Sequence, residues 1–352
     1  MSQESSVWWG QVAGPKNFKH ELIEEILNER SSLLYFGAYT GWVDELREEV
    51  QDKVHEEFGL RSFITISADE IGADLGSYLF QTFCHPEAKA FYSKKQNLAA
   101  FLSEEGHSSL GDSFIWITSI MDKKTADHYS QFISDYIKSP SKSSKGVFIL
   151  ESFSAEKPKQ LKGIQQLDWT GRINGYDMAM FAMSLIAGQR MADIMKSYAT
   201  ELASTLCLMD PAICADLATN AKNIVKEPVK EAMETYKLYN KDESQNTIIQ
   251  NVWEVQIKVF YPVIERKRLD LINKYRDIIE KSLLYDSPLG VDVKDAGMVE
   301  IGGLRAMVNH GYIDISDADK RLTELLWTAR NLLAHIHTID NFDFLGGSQY
   351  NF

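Results

Sequence analysis

The 352-residue chain carries 50 acidic and 37 basic side chains, a formal charge of −13, with 44% apolar and 11% aromatic residues. This composition excludes disorder and any broad, unspecific grip on nucleic-acid phosphates, and the length suggests two or three domains with cores of their own. No apolar run approaches the ~18 residues of a membrane span, MSQESSVWW has neither region of a secretory signal, and three cysteines without C-x-x-C spacing fit a reducing compartment; the expected location is cytoplasmic, with no membrane partner.

In chain order, Phe18, Leu22 and Ile26 recur at helical spacing across Asn17–Glu29, and Ser32–Phe36 reads as a buried strand ended by Gly37. Val43, Leu46, Val50, Val54 and Phe58 mark an amphipathic helix. Arg61–Ser67, Ser113–Ser119 and Gly146–Ser152 read as three more strands. Helices are expected between them, around Gly72–Cys84, Ala88–Ser103 and Lys123–Lys138. Strands alternating with helices predict an α/β domain with an open, mainly parallel sheet. From about Asp177 the pattern turns to long helical periods. Met180, Ser184, Met191 and Ile194 are assigned to one helix, and Trp253, Ile257, Phe260 and Ile264 to another that Pro262 is expected to kink or restart. In the last helix a capping pair, Ser316 and Asp319, precedes an apolar face of Leu322, Leu325, Leu326, Ala329, Leu333 and Ile336. The expected organisation is an α/β domain over 1–160, a helical connector or lid over 161–240, and an all-α bundle over 241–352.

The order strand, turn, helix at Ser32–Phe58 is where a phosphate-binding loop would sit. The turn reads Gly37-Ala-Tyr-Thr-Gly41-Trp42-Val43. Its glycines are one residue too close for G-x-x-x-x-G-K-[ST], and Trp42 and Val43 stand in place of the lysine and the hydroxyl. The first 160 residues thus resemble a P-loop NTPase domain of the signalling (STAND-like) kind in pattern, without the residues that bind and hydrolyse nucleotide. A degenerate module with no cofactor and no ATPase activity is expected.

Arg330-Asn331-Leu-Leu-Ala-His335 in the final helix resembles the R-x(4–6)-H motif of the HEPN superfamily, which carries it in the last long helix of an all-α domain. On a helix Asn331 and His335 lie one turn apart, so the amide is expected to orient the imidazole, whereas Arg330 sits about 140° from His335. Two copies of the helix related by a two-fold axis would join the two groups. Arginine offers a fork of donors matched to phosphate, and histidine titrates near neutrality. The resemblance implies metal-independent cleavage of RNA to a 2′,3′-cyclic phosphate, with Arg330, Asn331 and His335 as the catalytic residues and with no metal or cofactor. It further implies a homodimer or hetero-oligomeric complex in a bacterial or archaeal conflict system such as anti-phage defence.

An alternative reading is a non-catalytic scaffold of such a complex. It draws on the missing Walker A residues, the acidic charge, Trp8 and Trp9, read as exposed, and the tail Gly346–Phe352, read as a docking peptide. A basic and aromatic stretch (Lys258-Val-Phe-Tyr-Pro, Arg266-Lys-Arg268, Lys274-Tyr-Arg276) offers a track for RNA, although i,i+4 acid–base pairs neutralise part of it and a solvated charged face explains it better. Cys84, His85, Cys207 and Cys214 lack zinc-site spacing. Gly106–Gly111 has the wrong spacing for a nucleophile elbow and precedes a strand where an elbow follows one.

Overall fold

A computed structural model describes residues 2–37, 41–142, 144–285 and 295–346. The chain forms two compact units, residues 1–181 with 209–211 and residues 182–208 with 212–352.

The first unit is built on five parallel strands, β1 (Ser32–Tyr35), β2 (Ser62–Ser67), β3 (Ser113–Ile120), β4 (Val147–Ser152) and β5 (Gln165–Asp168), in the order β2-β3-β4-β1-β5. Four of the five match the expected strands to within a residue or so. β5 was not expected: only Leu167 of Gln-Gln-Leu-Asp is apolar and buried, and the segment becomes a strand by pairing with β1, Leu34 opposite Leu167. Sheet-forming residues therefore extend into the stretch assigned to a helical connector. β1, β3 and β4 are almost wholly buried, as parallel strands covered on both faces must be.

The covering helices are α1 (Gln3–Gln11), α2 (Ala13–Leu27), α3 (Val43–Glu57), α4 (Ala68–Ile71), α5 (Leu75–Phe83), α6 (Pro86–Lys89), α7 (Leu98–Ser103) and α8 (Lys123–Lys138). The long helix expected over Ala88–Ser103 is two short ones. The expectation of exposed tryptophans is corrected: Trp8 and Trp9, on α1, are fully buried.

α9 (Gly175–Ile186) closes the first unit and opens the second, which holds α10 (Asp193–Leu206), α11 (Pro211–Thr219), α12 (Ala221–Lys226), α13 (Pro228–Leu238), α14 (Gln245–Lys274), α15 (Arg276–Tyr285), α16 (Ile301–Asn309) and α17 (Asp317–Ala334). The single helix expected through Met191 is broken between Ile186 and Asp193, so Met191 lies in a connection that Gly188 enters. α14 runs unbroken past Pro262, whose ring faces solvent, and its break falls instead at Tyr275. α14 packs against α10 and α17, and α16 also packs on α17. No described helix is long and apolar enough to cross a membrane.

Candidate functional site

Two places attract chemistry, one in each unit. In the first, the chain leaves β1 for the far edge at β2, then returns and passes from β4 over β1 to β5. Connections from neighbouring strands thus depart in opposite directions at β1 and β4, and ligands of open α/β sheets bind at the carboxyl ends of such a pair. Here, among the described residues, aromatic rings occupy that crevice; residues 38–40 of the turn expected to resemble a phosphate loop lie outside the described residues. Phe36, Phe153 and Trp169 directly follow β1, β4 and β5, with Phe36 stacked on Phe153 at 5.2 Å and edge-to-face with Trp169 at 6.1 Å. Trp8 adds contacts to Trp42, Trp169 and Phe181 at 5.1–6.3 Å, and Phe18 and Trp9 close on Trp169 at 5.0 and 5.5 Å. Trp42 caps α3 in a left-handed conformation (φ 50°), and its carbonyl accepts a 2.9 Å hydrogen bond from Trp9 Nε1. Beside this cluster Glu151, at the end of β4 and 3% exposed, accepts hydrogen bonds of 2.8 Å from both Arg47 Nη2 on α3 and Trp116 Nε1 on β3. Those partners consume the one acidic side chain that ends a central strand.

The second place is α17. Ser316 caps it as expected: its Oγ accepts from the Asp319 backbone N at 3.3 Å. The reciprocal half of the box is relayed, because Ser316 N donates to the Tyr275 hydroxyl (3.2 Å), which donates to Asp319 Oδ2 (2.6 Å). Lys274 Nζ and Ser316 Oγ donate to the same oxygen at 2.6 and 2.5 Å. The Lys274 bond, then those from Ser316 and Tyr275, hold the Asp319 carboxyl down at about 2. Thr323, Leu326, Ala329 and Leu333 form the buried face, while Leu322 and Leu325 are only half-buried.

The far end of α17 carries the motif. The helix stops at Ala334, with His335 as its C-cap. Ile336 turns into the left-handed region (φ 62°) and is 62% exposed, which removes it from the expected apolar face. His337 N then bonds Leu332 O (2.9 Å) and Ile336 N bonds Leu333 O (3.4 Å), the paired bonds of a Schellman ending. α14 pins both flanks. Trp253 Nε1 donates to Leu333 O at 2.8 Å, and buried Gln256 both accepts from Ile339 N (2.6 Å) and donates to Ile339 O (2.9 Å) and the Tyr198 hydroxyl (2.8 Å).

Between these anchors the His335 ring is exposed, and among the described residues it forms no hydrogen bond or ion pair. Arg330 is half-buried on another side of the helix. It lines a cleft of about 370 Å³ with Tyr261, Glu265, Arg268 and Glu300, and Nη2 lies 3.4 Å from Glu300 Oε2. Asn331 points its amide oxygen at Arg330 Nη1 (3.5 Å), so the expected orientation of His335 by Asn331 is not the one adopted. Within one chain Arg330 and His335 do not converge on a common point.

Most of the basic stretch is locally neutralised. Lys258 pairs with Glu201, Arg268 with Glu265 and two backbone carbonyls, Lys274 with Asp319 and Arg276 with Glu280. Arg266 and Lys267 have no such partner among the described residues. Cys84, Cys207 and Cys214 are buried thiols.

No family model, curated protein or solved structure matches the chain.

Proposed function

We propose that this chain is a metal-independent endoribonuclease of the HEPN type that works as a dimer of its helical unit, within a prokaryotic conflict system such as anti-phage defence. The observation that carries the reading is the state of His335: an exposed imidazole without a partner among the described residues, held on a segment anchored at Leu333 and Ile339. A proton-transfer group needs that combination of access and fixed position. Arg330, five residues earlier, is accessible in a polar cleft and held by two long contacts, to Glu300 (3.4 Å) and Asn331 (3.5 Å), which a phosphate would displace. A second copy of α17 would supply the arginine that one chain directs elsewhere.

In this scheme the ribose 2′-oxygen attacks the adjacent phosphorus and the bond to the 5′-oxygen breaks. His335 transfers a proton during these steps, and Arg330 offsets the charge that builds on the phosphate oxygens. The products are a 2′,3′-cyclic phosphate and a 5′-hydroxyl. The α/β unit acts as a structural partner, a degenerate P-loop-like module: the aromatic filling of its crevice and the Arg47–Glu151–Trp116 contacts support a role without nucleotide hydrolysis. The scaffold reading loses one of its supports with the burial of Trp8 and Trp9, and residues 347–352 of the tail it invokes lie outside the described residues.

RNA cleavage in EDTA by wild type, Arg330→Ala and His335→Ala tests the proposal. Chelator-resistant cleavage that disappears in both variants supports it. Equal cleavage by all three proteins, or none by wild type in its dimeric form, refutes it.

A further inference from the structure

We infer that the outer face of α17 is a binding groove for single-stranded RNA, with Lys267 and Arg321 gripping phosphates upstream of His335; the choice of RNA as the occupant rests on the nuclease reading above. Two grooves, of about 200 and 460 Å³, share Arg321 and Leu325 and so lie side by side as one channel face along the helix. The first continues past Thr328 and Leu332, and the second reaches Lys267 on α14.

Helical spacing places His335 on the same face. Fourteen residues separate it from Arg321, which puts the two about 40° apart in azimuth and ~21 Å apart along the axis. Arg330 lies about 180° from Arg321, on the far side of the helix. The channel therefore leads toward the histidine.

Charge gives the occupant its sign. In a chain of net charge −13 the basic residues of this region are mostly committed to carboxylates, yet Lys267 and Arg321 form no ion pair among the described residues. Of the two carboxylates in the channel walls, Glu324 is paired with Arg305 Nε on both oxygens at 2.8 and 2.7 Å, while Asp343 accepts only the neutral Asn341 Nδ2 at 3.2 Å and keeps its charge, so the two cations face one carboxylate that no cation offsets among the described residues. Uncommitted cations at one end, an apolar floor of Leu325 and Leu332, and a histidine at the other end fit a strand that offers phosphates on one edge and base faces on the other.

The test is fluorescence anisotropy with a labelled single-stranded RNA of about 12 nucleotides, long enough to fill the channel. The protein is full-length His335→Ala, titrated from low to high salt with and without Lys267→Gln and Arg321→Gln. With the groove in use, the double substitution weakens binding at least tenfold at low salt. The slope of log K against log salt then falls by about 0.7 for each phosphate no longer gripped, roughly 1.4 for both. Lys267→Arg with Arg321→Lys retains most of the affinity, which separates loss of charge from loss of fold. Unchanged affinity and slope in the Gln variant overturn the proposal, as does an absence of RNA binding or a channel that takes an acidic peptide in its place. RNA held through Lys267 and Arg321 but never cut by the His335-intact protein leaves the groove standing and removes the nuclease. Cleavage with an unaltered KM in the double variant does the reverse.

Discussion

Replacing Arg47 by leucine is the sharpest test of how the first unit is held together. Glu151 is 3% exposed and its Oε2 receives Arg47 and Trp116 at 2.8 Å each, so among the described residues Arg47 is its cationic partner at hydrogen-bond distance. Leucine restores the apolar volume of the arginine stem but leaves the carboxylate in a dry site with the indole alone. Breaking a buried pair in this way costs about 3–5 kcal/mol, because an uncompensated charge remains, not because the pair itself was worth so much. The same logic gives the sign of the double variant. Arg47→Leu with Glu151→Gln removes the stranded charge and keeps an oxygen for Trp116, so it recovers at least about 2 kcal/mol of the single-variant loss. Urea unfolding at pH 7 followed by tryptophan fluorescence reads this unit, since Trp8, Trp9, Trp42, Trp116 and Trp169 belong to it and only Trp253 and Trp327 to the other. The deficit of Arg47→Leu persists in 1 M salt, because a buried pair is little screened. A cost below about 1 kcal/mol, or a double variant no more stable than the single one, refutes the reasoning.

Three further outcomes follow from interactions elsewhere. The Asp319 carboxyl, held at about 2 by Lys274, Ser316 and Tyr275, lies below its unfolded range, so its contribution is complete above that range and lost as pH falls through the folded value. Asp319→Asn is therefore less stable than wild type at pH 7 by circular dichroism melting, and the gap closes near pH 2; a gap independent of pH contradicts the assignment. Gln256→Leu leaves both Ile339 backbone groups and the Tyr198 hydroxyl without their partner, a loss of about 2–4 kcal/mol, and hydrogen exchange at Ile339 accelerates more than at Leu304. Equal exchange at both amides counts against the anchor. Trp169→Ala removes the ring that Trp8, Trp9, Phe18 and Phe36 share and costs about 3–5 kcal/mol in the same urea assay; a cost under 1 kcal/mol would mean the cluster repacks freely.

The elements legible in the sequence are those whose burial is one-sided or complete along a run. β1, β3 and β4 are continuous apolar stretches, and α17 shows both its cap and its stripe. β5 is illegible because its conformation comes from its neighbour: Gln165, Gln166 and Asp168 have no strand preference of their own. α1 escapes notice because adjacent Trp8 and Trp9 are both buried, which gives no 3.6-residue stripe to read. At the candidate site, helical arithmetic foresees that Arg330 and His335 diverge. It does not foresee that Asn331 turns to the adjacent Arg330, a rotamer choice that spacing does not encode, nor that α14 clamps the turn beyond the helix, which depends on residues some 80 positions away.

The position of β1 in the sheet sets a clock for synthesis of the chain. β1 is the first strand made, yet both its neighbours, β4 and β5, are made last, with Ser32 opposite Ile149 and Gln165. At 5–20 residues per second the ribosome needs roughly 6 to 25 seconds to deliver those partners. During that interval β1 and the paired tryptophans of α1 are without a place to pack, while β2 and β3 can already pair. The nascent first unit thus passes through a stage in which its first strand and the tryptophans of α1 wait on its latest residues, and a holding chaperone would find its target there.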